Sequence, residues 1–179
     1  MRNPHPGNTS LGGAPGEEKM MKNINQALNA YETKYRRSGL PALTVSGLYD
    51  LFPSQPSQIS AKWSWSRSNP WPHANRAGVY FIFGDTGNLL YVGKASRGSI
   101  GARLDEYFGY EKLTKGCRII EPQAWRERPR YVAALAVPED MWFEAAALEE
   151  FLIRELQPPL NAAGLEAIAD RSLTSKGED

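Results

Sequence analysis

One glutamate of this 179-residue chain occupies a position where a charged group is costly. The segment around Glu149 has helical spacing, and the residues three and four positions away on either side are Ala145, Ala146, Leu152 and Ile153. A carboxylate within such an apolar stripe must find a cation or accept a large desolvation cost. Position therefore favours Glu149 as the functional carboxylate over its acidic neighbours Glu144, Glu150 and Glu155.

Two short tyrosine motifs precede this segment in the chain. Gly78-Val79-Tyr80 and Tyr91-Val92-Gly93 lie on either side of Gly84-Asp85-Thr86-Gly87-Asn88, which has the residue types of a turn. The pattern predicts a β-hairpin with strands at 78–83 and 89–92. Tyrosines on a hairpin are most often packing residues with a hydroxyl at the rim, so the two motifs alone are weak evidence for catalysis.

Further chemically active residues follow the hairpin in a fixed order, namely Lys94, Arg103, Tyr107, Glu149 and Asn161. With the two tyrosine motifs, this order resembles the GIY-YIG endonuclease superfamily. The similarity covers residues 77–162, roughly half of the chain. Within the superfamily, the region is similar to the N-terminal nuclease domain of excision-repair nucleases.

The resemblance implies an endonuclease that hydrolyses phosphodiester bonds in DNA, with the catalytic residues Tyr80, Tyr91, Arg103 and Glu149. It implies that Glu149 holds one Mg²⁺ or Mn²⁺, with water and phosphate at the remaining positions. Arg103 would clamp a phosphate oxygen with its planar guanidinium. Tyr80 or Tyr91 would orient or deprotonate the attacking water. Because a free tyrosine has a pKa of ~10, Lys94, Arg103 and the metal would have to lower that pKa.

The same resemblance assigns supporting roles to Lys94, Tyr107 and Asn161. We expect the whole set to line one concave surface, with Glu149 across a cleft from Arg103. The tyrosine hydroxyls should point into that cleft, because a phenol buried in the core can neither reach water nor act on it.

Hydrophobic periodicity predicts the elements that must position these residues. It predicts helices at 17–37, 100–108 and 139–156, a helical turn at 48–52, and strands at 59–66 and 131–137, with a basic connection at 109–129. The order predicts an α+β fold with a small three-stranded antiparallel sheet flanked by helices. We divide the chain into a disordered start at 1–16, a helical and aromatic extension at 17–76, the nuclease domain at 77–162 and a tail at 163–179.

Aromatic and basic residues alternate in the extension and recur after the second predicted helix. The candidates for nucleic-acid binding are Lys62, Arg67, Lys112, Lys115 and Arg118. Trp63, Trp65 and Trp71 could stack on exposed bases. They could equally cover the sheet, and we favour this second interpretation because a core of about 85 residues benefits from extra apolar cover.

Composition narrows the class of protein. Hydrophobic residues make up 41% of the chain and charged residues 23%, which indicates a packed core. One cysteine and two histidines exclude a disulfide framework and a structural zinc site of the usual kind. No stretch approaches the ~20 apolar residues of a membrane span. We therefore expect a cytoplasmic protein that does not bind a membrane. The resemblance to the GIY-YIG superfamily implies that its partner is DNA, branched or single-stranded DNA included.

Two other functions stay open at this point. A nucleic-acid-binding module could keep the fold without cutting, although none of the catalytic groups is missing. A structure-selective nuclease acting on branched DNA or RNA would share the same metal and phosphate chemistry, so the sequence does not separate it from a nuclease of ordinary DNA.

Overall fold

The computed structural model describes residues 15–66 and 70–161. The predicted disorder of residues 1–14, the predicted tail and the candidate Arg67 lie outside the described residues. Residues 15 and 16, which we expected to be disordered, already belong to the first helix. None of the helices in the described ranges is long and apolar enough to cross a membrane.

The predicted α+β class is confirmed, and the main sheet has five strands where three were predicted. Its strands in chain order are β1 (Tyr49–Asp50), β2 (Trp63–Ser64), β3 (Gly78–Gly84), β4 (Leu89–Ala95) and β7 (Pro129–Ala136), and a separate hairpin contains β5 (Phe108–Glu111) and β6 (Gly116–Ile119). The order across the main sheet is β2-β1-β7-β3-β4. The strands β7, β3 and β4 are the predicted antiparallel set, and the short strands β1 and β2 from the extension complete the sheet.

Both faces of the sheet are covered, which explains why all seven residues of β3 are buried. One face, called face A here, carries Val79 and Phe81 and packs against α1 (Pro15–Tyr35) and α3 (Glu144–Leu156). The other, face B, carries Tyr80 and Ile82 and packs against α2 (Ile100–Asp105) and the β5–β6 hairpin. The two helices with the predicted Arg and Glu of the site therefore cover opposite faces.

The extension is part of the same core. The strand β1 pairs with β7, and the buried guanidinium of Arg130 on β7 bonds to the Asp50 carboxylate at 3.3 Å and to the carbonyl of Gln55 at 2.8 Å. On face B the rings of Trp65 and Trp71 lie 5.1 Å apart, and Trp71 is buried. These two tryptophans cover the sheet, in agreement with the favoured interpretation, whereas Trp63 is exposed and does not.

Several predicted elements need correction. The helical turn at 48–52 is wrong, because this segment forms β1 against β7. The aromatic strand at 59–66 shortens to β2, which pairs in parallel with the two-residue β1. The connection at 109–129 contains the β5–β6 hairpin, and the helix predicted to reach 108 ends at Asp105 because β5 begins at Phe108. A short 3₁₀ turn at Glu139–Met141 separates the start of the last predicted helix from α3.

Candidate active site

The register of β3 against β4 puts the two motif tyrosines on one face of the sheet. Tyr80 pairs with Gly93 and Ile82 pairs with Tyr91, so Tyr80 and Tyr91 are diagonal neighbours on face B. A Cβ at Gly93 would lie 2.4 Å from the Tyr80 ring and 2.7 Å from the Tyr91 ring. Gly93 is therefore the position that allows both rings to occupy the space above the strand.

A third tyrosine joins the pair from the end of α2. The ring centroids of Tyr80, Tyr91 and Tyr107 lie between 6.0 and 6.2 Å from one another. The Tyr80 hydroxyl donates a hydrogen bond to the Tyr107 hydroxyl at 3.3 Å. Tyr80 is fully buried, whereas Tyr91 and Tyr107 are half-buried. The expectation that both motif hydroxyls face a solvent gap is thus wrong for Tyr80.

The surroundings of the two motif tyrosines, Tyr80 and Tyr91, keep both of them protonated. Burial raises the pKa of Tyr80, and the hydrogen bond with Tyr107 raises it further. Burial and the hydrogen bond with Tyr107 likewise raise the pKa of Tyr91, and the charge of Glu149 adds to the increase. The charge of Arg103 lowers both pKa values, as expected. Its effect is smaller than that of burial and of the hydrogen bond with Tyr107. The expected lowering of a tyrosine pKa by the protein's own cations does not occur, because desolvation of the phenolate dominates.

Arg103 reaches the tyrosine cluster from α2. Ser99 caps this helix by accepting a hydrogen bond from the Ala102 amide. Burial alone would lower the pKa of Arg103, but Tyr80, Tyr107 and Glu106 outweigh it and the pKa is raised. Its guanidinium pairs with the Glu106 carboxylate at 2.5 Å, and its side chain is 41% exposed. Arg103 is thus permanently charged, close to Tyr80 and accessible from solvent.

Glu149 and Lys94 form an ion pair on the other side of the sheet. Lys94 pairs in register with Val79, which places it on face A, and its ammonium contacts the Glu149 carboxylate. Glu149 is 8% exposed. The cation that the apolar stripe requires is therefore Lys94. Glu144 is also buried, and its carboxylate pairs at 2.6 Å with the guanidinium of Arg36, the residue directly after α1. Burial alone therefore does not distinguish Glu149 from Glu144.

The predicted single concave surface is not what the chain forms. Arg103 and the three tyrosines belong to face B, whereas Lys94 and Glu149 belong to face A. The two groups lie on opposite faces at β4, which is one of the two edge strands of the sheet. The charges of both Glu149 and Arg103 act on Tyr91. Tyr91 is therefore the residue at which the two halves of the candidate site come together.

Asn161 braces this edge strand. Its Oδ1 accepts from the Val92 amide and its Nδ2 donates to the Val92 carbonyl, each at 2.9 Å. The amide of Leu160 adds a bond to the Leu90 carbonyl at 3.2 Å. The segment after α3 thus satisfies the outward backbone groups of β4 and holds the strand that carries Tyr91.

Comparison with known proteins agrees with this architecture. Residues 76–162 match the family model of the UvrC-like GIY-YIG domain. This part of the chain, just under half of its length, is similar to the UvrC-like GIY-YIG domain.

Two curated relatives each match about half of the chain. The UvrABC system protein C of Wolbachia sp. subsp. Brugia malayi is 34% identical over 84 residues, or 47% of this chain and 12% of the relative. The protein of the same name from Alcanivorax borkumensis is 35% identical over 88 residues, or 49% of this chain and 13% of the relative. The chain thus covers only a small part of these relatives. No solved structure matches it.

An aromatic residue that the sequence interpretation missed lies against the GIY-YIG tyrosines. The Trp125 ring is 5.8 Å from Tyr107 and 6.5 Å from Tyr91, at interplanar angles of 75° and 87°. A cavity of about 330 Å³ opens between these rings, and its walls are completed by Glu106, Glu121, Ala124 and Leu160. Trp125 lies in the segment predicted to be a polar connection, and no periodic pattern marked it.

The candidate nucleic-acid-binding residues of the described chain separate into two groups. Lys112, Lys115 and Arg118 are exposed on the β5–β6 hairpin, whose first strand begins directly after Tyr107. Lys62 is exposed beside β2, at the opposite edge of the sheet from β4, with its ammonium 5.2 Å from the Trp63 ring. Four strand spacings of ~4.8 Å separate the two edges, so Lys62 does not join the GIY-YIG residues.

The donor set at Glu149 decides which metal could bind to it. The described residues contain no group of three His, Cys, Asp or Glu side chains that could hold a metal ion. Glu149 thus offers a single carboxylate whose Oε2 already contacts Lys94. Such a site fits Mg²⁺ or Mn²⁺ held mainly by water and substrate phosphate, and it does not fit a metal that requires a full set of protein ligands.

Proposed function

We propose that the chain is a metal-dependent endonuclease that hydrolyses phosphodiester bonds in DNA. The observation that carries the proposal is the match of residues 76–162 to the UvrC-like GIY-YIG domain, with Arg103 beside the tyrosines on face B and Glu149 paired with Lys94 of the same edge strand on face A. A guanidinium for phosphate, hydroxyls for water and a carboxylate for a metal are the groups that this hydrolysis requires.

In this proposal the arginine and the tyrosines have separate roles. Arg103 exchanges its Glu106 partner for a phosphate oxygen and stabilises the charge that develops there. Tyr91, whose pKa is raised, orients the attacking water or donates to the phosphate and does not act as a phenolate base, and the Tyr107 hydroxyl assists it. Tyr80 is a positioning residue, because its buried hydroxyl bonds to Tyr107.

Glu149 is the residue that would hold the metal. When bound, Mg²⁺ or Mn²⁺ supplies a Lewis acid for the phosphate and lowers the pKa of a coordinated water. Lys94 must share the Glu149 carboxylate or move away from it, and its side chain is exposed enough, at 40%, to do so. Asn161 maintains the position of β4 throughout.

The test is incubation of the purified chain with linear, nicked, single-stranded and branched DNA in Mg²⁺, Mn²⁺ or EDTA. We expect cleavage with either metal and none in EDTA. Glu149→Gln should abolish cleavage with the circular dichroism spectrum unchanged, and Glu150→Gln is the matched control because Glu150 is the next residue on α3 and exposed. Full activity in EDTA or in Glu149→Gln would disprove the role of the metal. The same substrate set, extended with branched RNA, decides between the structural classes of substrate.

A non-cleaving binding module is the second candidate, and the Lys94–Glu149 pair favours it, since an ammonium already neutralises the carboxylate. This function predicts DNA binding that is indifferent to metal, with no product on any substrate. Metal-dependent products from any of the four DNA forms would exclude it.

A further inference from the structure

We infer that the cavity between Tyr91, Tyr107 and Trp125 binds one unpaired nucleobase next to the cleaved phosphate, with a preference for bases that carry an exocyclic amino group. The inference rests on the proposed nuclease function and adds a base-reading site to it. The cavity shares Tyr91 and Tyr107 with the candidate active site, so its occupant lies beside the reacting groups.

The walls of this base cavity have the chemistry of a stacking site. Three half-buried aromatic side chains meet there, and the Trp125 ring is nearly perpendicular to both tyrosine rings and nearly parallel to the Phe108 ring, whose centroid is 6.3 Å away. Aromatic side chains in nucleic-acid sites bind bases by stacking, whatever the base. A volume of about 330 Å³ lies at the low end of ligand pockets, which suits one base and not two.

The polar groups of the base cavity determine which part of a nucleotide enters it. The two carboxylate side chains on its walls are Glu106 and Glu121. Their negative charge repels a phosphate, so the neutral base is the group that enters and the phosphate stays outside, on the side of Arg103. The pair between Arg103 and Glu106 at 2.5 Å places the phosphate-binding cation directly at the cavity wall.

The same carboxylates discriminate among bases. An ionised carboxylate only accepts hydrogen bonds. Cytosine and adenine offer an exocyclic amino donor, whereas thymine presents carbonyl oxygens on both sides of its single N–H. Glu121 is exposed, and among the described residues its side chain has no hydrogen bond or ion pair, so its oxygens are available to a base. Glu121 is therefore the specificity residue of the base cavity.

The experiment measures binding without cleavage, using the full chain with Glu149→Gln and fluorescence anisotropy of labelled single strands. The probes are oligomers of deoxycytidine, of deoxythymidine and of abasic sugar-phosphate, all of equal length. We expect deoxycytidine to bind roughly tenfold more tightly than deoxythymidine, and both to bind more tightly than the abasic strand. Glu121→Gln, which can donate as well as accept, should remove the difference between cytosine and thymine.

Two further variants separate stacking from support of the tyrosines. Trp125→Leu keeps apolar volume but removes the stacking surface, and it should weaken binding of both base-carrying strands roughly tenfold while leaving the abasic strand unchanged. Gln123→Ala is the control, because Gln123 is exposed in the 3₁₀ turn Pro122–Ala124 directly before Trp125 and does not line the cavity. Equal affinity for all three strands, or no binding of any strand, would overturn the inference. Aromatic cavities also bind quaternary ammonium groups through cation–π contacts, so binding of a trimethyl-lysine peptide in competition with deoxycytidine would overturn it too.

The two proposals fail separately. If the wild-type chain cuts DNA but the Glu149→Gln variant binds all strands equally, only the base cavity is disproved. If the chain cuts nothing but binding depends on the base and on Glu121, the cavity stands and the nuclease function is disproved.

Discussion

The ammonium of Lys94 and the carboxylate of Glu149 form an ion pair on face A, behind the edge strand that carries Tyr91. Glu149 is nearly buried, with its side chain 11% exposed, whereas the Lys94 side chain is 40% exposed. The pair neutralises a carboxylate that would otherwise be costly to bury. It also means that a metal at Glu149 must compete with a cation of the chain itself.

Removal of this competing cation should make the protein less stable without metal and more responsive to metal. We expect Lys94→Met to lower the free energy of unfolding by about 1 to 3 kcal/mol in EDTA, because it leaves Glu149 unpaired. Mn²⁺ should then raise the melting temperature more than it does in the wild type, since a ligand of the native state stabilises it. Differential scanning fluorimetry measures both effects, with the exposed Lys112→Met as control. An equal rise of the melting temperature with Mn²⁺ in the wild type and in Lys94→Met would show that Lys94 does not compete with the metal for Glu149.

Arg103 is predicted to act on the transition state. Because its guanidinium lies beside the tyrosines and is accessible, Arg103→Ala should lower kcat by about 10²- to 10³-fold with little change in KM. Single-turnover kinetics at saturating protein measure this, and Arg97→Ala, an exposed arginine just before α2, is the matched control. A variant that cuts normally once bound but binds DNA weakly would make Arg103 a positioning contact only.

Gly93 is predicted to be intolerant of a single methyl group. Gly93→Ala places a Cβ 2.4 Å from the Tyr80 ring, so the tyrosine cluster must shift. Overpacking of this kind costs about 1 to 3 kcal/mol, and cleavage should fall with it. Gly98→Ala is the control, because a Cβ there meets nothing within 4 Å. Chemical denaturation measures the difference, and equal stability of the two variants would contradict the tight packing described here.

Alkaline pH should destabilise the fold through the buried tyrosines. The pKa values of Tyr80 and Tyr91 are raised in the folded chain, mainly by burial. The unfolded chain releases these protons near its ordinary pKa of ~10. The stabilisation is therefore complete below pH ~10 and is lost as the pH rises above it. Denaturant unfolding from about pH 8 to about pH 11 should show the decline, and Tyr80→Phe should reduce its slope; an identical slope in Tyr80→Phe would exclude Tyr80 as a contributor.

The sequence located the edge hairpin because its information is local. The turn between Gly84 and Asn88, with the apolar runs on either side, predicts β3 within one residue of its observed limits and β4 within three. Local pattern failed at 48–52, where a segment with helical spacing became β1 because its backbone groups pair with the distant strand β7. Trp125 was missed for a related reason, since its role depends on rings that are distant in sequence.

By itself, the sequence determined the α+β class, the GIY-YIG order of residues and the need of Glu149 for a cation, since each depends on residue type and spacing. Tertiary structure decided which cation this is, that Tyr80 is buried while Tyr91 lies half-buried on an edge strand, and that the site extends around that edge from face A to face B. Strand order and helix placement fix these properties. A periodic pattern shows that a side chain is buried, but which groups surround it depends on the elements that pack against each face of the sheet.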